Sequence, residues 1–152
     1  MEVSINVVRG FASVLRDLNI DFERLLRDAG MDFNLFERSQ GPVDLTVAER
    51  LMRSAFGVAP EPGLGLYFGS KAPMQTLGML GEVLTHSPTL RAAIGELTTY
   101  LPLVFPMARF RLLEEGDRAF LIYEPPFSDH SAARFCTEMS FAFAVRIGQM
   151  LV

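Results

Sequence analysis

Few residues in this chain have types and spacing suited to chemistry. The histidines are His86 and His130, far apart in the chain, and neither has an HxxxH-type partner, so no metal site is expected. Cys136 is the single cysteine. A thiolate nucleophile needs an activating neighbour, and the nearest histidine, His130, falls on the preceding loop. Placed within an apolar helix, Cys136 reads as a buried, inert thiol. No nucleophile elbow, P-loop, HExxH or kinase-type motif occurs, so no catalytic residue is assigned and the chain is not read as an enzyme. The remaining polar groups able to converge on an aromatic-lined ligand pocket are Tyr100, Arg109, Arg111, Tyr123 and Glu124, the candidate ligand-binding set. A solvated sheet face for the arginines and surface-reaching tyrosine hydroxyls are the plainer alternative.

Positioning these side chains falls mainly to helices. Val7, Phe11, Val14, Leu15 and Leu18 form one apolar stripe. Asp21 caps a helix over Phe22–Ala29, and Gly30 supplies its left-handed stop. Thr46 and Glu49 have capping-box spacing, opening a helix through Met52 and Phe56 that ends near Gly57 and Pro60. Residues 63–69 (GLGLYFG) faintly suggest a dinucleotide fingerprint, but the third spacing is wrong and no strand precedes them. They read instead as small residues where a short helix packs closely. No cofactor is expected.

Leu77, Leu80, Gly81 and Leu84 share a helix face that stops at His86. Ser87 then reads as an N-cap, with Pro88 at the first position of a helix through Leu90, Ile94, Leu97 and Tyr100 to Leu101. Pro102 and Pro106 end or kink it. There the period changes from 3.6 to 2, and Met107–Leu113 and Arg118–Glu124 are predicted strands of a hairpin, ended by Pro125 and Pro126. A two-residue Gly116-Asp117 loop places Arg109 opposite Glu124, as an ion pair, and puts Phe110, Leu112, Leu121 and Tyr123 on the core face. The alternative three-residue loop would bury Glu124 without a partner, which is costly. From Ala132 to Val152 the chain is again helical. One apolar line runs through Phe135, Met139, Phe143, Ile147 and Met150; a second holds Phe141, Val145, Gly148 and Val152. A helix with two apolar faces needs two burial partners, so Phe141, Val145 and Gly148 are the expected dimer surface.

The 152 residues fit one domain, able to bury about 70% of its unfolded surface. The fold class is α+β: a mostly helical single domain with an antiparallel β-hairpin as part of a small sheet. Nearly half the residues are apolar (49%), and mean hydropathy is +0.24, which excludes disorder. Net charge is −4, a poor balance for gripping phosphate, so the chain as given is not a nucleic-acid binder. With one cysteine, no leader and no uninterrupted apolar span, a cytoplasmic location and no membrane contact are expected. The last helix runs to residue 152 without a cap or stop, which suggests a fragment of a longer chain.

Thr76–Ala93 (TLGMLGEVLTHSPTLRAA) resembles the core of the effector-binding, arabinose-binding type domain of AraC-family transcriptional regulators. The likeness continues through Leu97 to Pro106 and the hairpin Ala108–Tyr123. Upstream, Asp21–Gly30 and Gly63–Gly69 are similar to that domain's early helix-turn and its "GLxxG" element. Together these cover the chain from about residue 8 to its end. His86 and Glu82 depart from the Ser and aromatic often found there. The resemblance implies a regulatory domain over 1–152 that binds an unknown small-molecule effector and forms a homodimer. It also implies a DNA-binding helix-turn-helix pair further along the chain, and DNA contact only through that domain. An interaction module without a ligand is the competing expectation.

Overall fold

A computed structural model describes residues 2–38, 41–58, 63–106, 108–125 and 130–152. Pro60, Met107 and Pro126, which enter the expected boundaries above, lie outside them, as does the His130 side chain. The described residues form a mostly helical α+β domain with two separate two-stranded antiparallel sheets.

The short strand β1 (Glu2–Val3) leads into α1 (Ile5–Asp17), capped by the Ser4 side chain. Helix α2 (Phe22–Asp28) starts where Asp21 accepts from the Arg24 amide at 3.0 Å, and Gly30 follows at φ +76°. After α3 (Phe33–Arg38), strand β2 (Val43–Asp44) pairs with β1, a contact with no sequence signal at this length. It runs straight into α4 (Leu45–Val58). The expected Thr46–Glu49 capping box is therefore not the start of that helix. Asp44 takes the capping role, accepting from the Thr46 amide at 2.8 Å. The Thr46 hydroxyl and amide hold the Asp44 carboxyl below the usual carboxylate range.

Helix α5 (Leu64–Lys71) is the close-packing GLGLYFG segment, and the long α8 (His130–Leu151) lies against it. A Cβ on Gly65 would stand 2.4 Å from the Phe135 carbonyl oxygen, and one on Gly69 would stand 2.4 Å from that of Met139. The glycines let two backbones meet, so the structural reading of this segment is correct.

A 3-10 turn (Met74–Leu77) precedes α6 (Met79–Thr85), which is closed by His86. The Ser87 hydroxyl donates to the Val83 carbonyl (2.9 Å), closing α6 rather than opening the next helix. Thr89 caps α7 (Leu90–Val104) by accepting from the Ala92 amide at 3.1 Å, so Pro88 lies one step outside it. Pro102 sits within the last turn of α7, which stops two residues later. Strands β3 (Arg109–Glu115) and β4 (Arg118–Glu124) pair in the expected register, with Phe110 opposite Tyr123 and Leu112 opposite Leu121. The first strand starts and ends two residues later than expected. Glu115 pairs with Arg118 across the Gly116-Asp117 turn, so pairing continues to the turn itself.

One core joins these elements. At its centre the rings of Phe11, Phe68 and Phe135 lie 5.6–5.8 Å apart, bringing together α1, α5 and α8. Phe56 of α4 and Phe143 of α8 extend the cluster. Such tilted and edge-on pairs suit the quadrupoles of the rings.

Candidate functional site

The same aromatic cluster borders a cavity of about 80 Å³. Phe11 of α1, Leu51 of α4 and Phe68 of α5 form part of its wall. Leu101 of α7, Phe110 of β3 and Phe135 of α8 form more of it. None of its lining residues is charged. The phenylalanines thus both fill the core and border a space within it.

Two hydroxyls interrupt this apolar wall: Thr76, 4% exposed, and Ser140, 7% exposed. Thr76 arrives because the 3-10 turn seats against Gly10 of α1, where a Cβ would stand 2.1 Å from Thr76 Oγ1. That oxygen is buried and makes no hydrogen bond. An unpaired buried hydroxyl normally costs about 1–3 kcal/mol, a cost that a ligand group reaching it would relieve. Ser140 is placed by α8, on the face shared by Cys136, Phe143 and Ile147.

Tyr123 stands behind this wall. Its ring packs on Phe110 at 4.9 Å between centroids, and its hydroxyl is also buried without a hydrogen bond. Burial pushes the phenol pKa up; the nearby Ser140 hydroxyl eases the shift without reaching hydrogen-bond geometry, and Cys136 adds to it. Cys136 lines the cavity too, and burial pushes its thiol up to about 12. The neutral thiol is a poor nucleophile, in keeping with the inert reading.

The five candidate ligand-binding residues do not come together on this wall. Tyr100 is exposed on α7. Arg109, Arg111 and Glu124 are exposed on the hairpin face opposite Phe110 and Tyr123. Arg109 and Glu124 are opposite in register, but the ion pair forms diagonally, from Arg111 Nε to Glu124 Oε1 at 3.0 Å. Long side chains reach diagonal neighbours on a sheet face, which explains the correction. Of the five, only Tyr123 approaches the cavity lining.

Thr76 and Ser140 were not singled out from the sequence. Ser140 had a signal: with Cys136, Phe143 and Ile147 it falls at helical spacing on a buried face. Thr76 had none, since its place depends on Gly10, distant in the chain. His86 closes α6, its Nδ1 donating to the Glu82 carbonyl at 2.8 Å. No group of three or more His, Cys, Asp or Glu suited to a metal exists among the described residues.

A second concavity is an open groove of about 780 Å³ between α5 and α8. Leu66, Tyr67, Phe141 and Val145 line it, with Arg146 and Gln149 at the polar positions. Phe141 and Val145 are 52% and 60% exposed, while Gly148 is half-buried. Among the described residues, no helix is long and apolar enough to cross a membrane.

No curated protein matches the chain. The family described as the arabinose-binding domain of AraC transcription regulator, N-term, matches residues 20–152, which takes in every element from α2 to α8. The match starts later than the resemblance read from about residue 8, leaving the whole of α1 ahead of it. With this match over most of its length, the chain belongs to the N-terminal arabinose-binding domain family of AraC transcription regulators.

Proposed function

We propose that this domain senses a small molecule in the core cavity and passes the signal through its own dimerisation. The observation that carries the reading is the two-sidedness of α8. Phe135, Ser140 and Phe143 on one side line the cavity, while Phe141 and Val145 on the other lie on the open groove. A ligand that shifts or stiffens α8 changes both faces together, which is a coupling free energy between the cavity and the interface. Phe141, Val145 and Gly148 contribute to a homodimer contact along this groove. Tyr123 acts on the cavity from behind Phe110. A helix-turn-helix domain beyond α8 carries the DNA contact, in keeping with the acidic balance here. The regulator works in the cytoplasm and performs no catalysis.

Thermal unfolding of the domain against sugars, amino acids, fatty acids and nucleotides tests the sensing step. A ligand at 100 times its Kd stabilises by about 2.7 kcal/mol, a rise of several degrees for a domain of this size. A saturable rise confined to one chemical class supports sensing. No rise in any class gives way to the interaction-module reading, for which the exposed Phe141 and Val145 are the supporting observation.

A further inference from the structure

We infer that the cavity takes a neutral, mainly apolar molecule carrying one or two hydrogen-bonding atoms, and not a sugar or an anion. The inference rests on the sensing role proposed above and adds the ligand's chemical class. Three features of the wall carry it.

The first is the absence of charge among the lining residues. A carboxylate or phosphate brought into this space would lose its water and find no cation, the costliest kind of burial. The second is the small number of polar partners. Thr76, Ser140 and the thiol of Cys136 are the wall's side-chain polar groups, against a lining otherwise made of aliphatic, aromatic and methionine side chains. A pentose carries an oxygen on every carbon, and most of these would be left unpaired. The third is the buried, unpartnered Thr76 Oγ1, which can both donate to and accept from one oxygen of a ligand.

Size sets a further bound. About 80 Å³ is roughly half the 150 Å³ of an engineered apolar cavity that admits benzene. Met52 and Met139 lie on the wall, and their unbranched thioethers can yield to a slightly larger guest. With those side chains displaced, the space suits at most one small ring or a short alkyl chain.

The test compares four probes on the isolated domain, by calorimetric titration and thermal unfolding: benzene, phenol, benzoate and L-arabinose. Phenol is expected to bind with a saturable rise in unfolding temperature, benzene more weakly, and benzoate and arabinose without saturation. Thr76→Val keeps the shape and removes the hydroxyl. It should cost phenol about fivefold in affinity, the size of one net hydrogen bond, and leave benzene unchanged. Thr76→Ser should restore most of the loss, which separates the hydroxyl's role from any folding defect. Tighter binding of arabinose or benzoate than of phenol would overturn the ligand class while leaving sensing intact. So would a Thr76→Val domain that binds phenol as the parent does. No binding by any of the four overturns the inference as well, and the broader metabolite panel then decides separately whether the domain senses anything.

Discussion

Two buried groups behind and along the cavity wall set the domain's alkaline behaviour. The Cys136 thiol and the Tyr123 phenol both hold their protons more tightly in the folded state than in the unfolded chain. Their contribution is fully present below their unfolded values, near 9 for the thiol and 10 for the phenol. As pH rises past those values the unfolded chain releases protons that the folded domain retains, so stability must fall. Urea unfolding from pH 7 to 11 should show a plateau to about pH 8.5 and a decline above it. Tyr123→Phe should make that decline shallower. At pH 7 the same substitution should leave stability unchanged or raise it, by up to about 1–3 kcal/mol, because the buried hydroxyl it removes makes no hydrogen bond. Cys136 should resist iodoacetamide at pH 8 in the native state and react once urea unfolds the chain. The inertness of Cys136 was legible in the sequence from its apolar helical neighbours. The isolation of Thr76 was not, because it is created by Gly10, on a different element.

At the level of elements, the packing of α5 on α8 depends on glycines that leave no room for a methyl group. Gly69→Ala would place a Cβ 2.4 Å from the Met139 carbonyl oxygen and 2.6 Å from the Ala142 Cβ, so the helices must separate. The expected cost is about 1–3 kcal/mol by urea unfolding. Gly95 of α7 is exposed, with nothing near the position a Cβ would take. Gly95→Ala should therefore stabilise the domain by about 0.5–1 kcal/mol. Equal effects from the two substitutions would contradict this account of the α5–α8 contact. Helix faces, the Asp21 cap and the hairpin register were all readable, because each follows from a local period or a burial cost. The boundaries at Asp44 and Thr89 were less so. At both, two neighbouring polar side chains competed for one role, and three-dimensional context decided between them. The β1–β2 pair is two residues long, too short to leave a period.

Across the whole molecule, α8 runs between a partly open apolar cavity in the core and a groove beside α5. The family was recognisable from a run of structural motifs around Thr76–Ala93, and those motifs say where helices meet rather than what the cavity holds. This explains why the charged and phenolic residues of the hairpin looked like ligand contacts in the sequence. Their types suit recognition, but in three dimensions Arg109, Arg111 and Glu124 face outward, and the polar groups left on the cavity wall are uncharged. Phe141→Glu should leave monomer stability within about 0.5 kcal/mol, since the side chain is exposed. It should also weaken self-association at least about tenfold by sedimentation equilibrium, as loss of a buried aromatic anchor would.

The most direct test of the link between cavity and groove is sedimentation equilibrium of the domain with and without saturating phenol, run in parallel on Thr76→Val at subsaturating phenol. Coupling through α8 requires the dimer Kd to move by about fivefold or more when the cavity fills, and by less in the variant at equal phenol. A dimer Kd unchanged by phenol that demonstrably binds, or a domain that stays monomeric at every concentration, would contradict it.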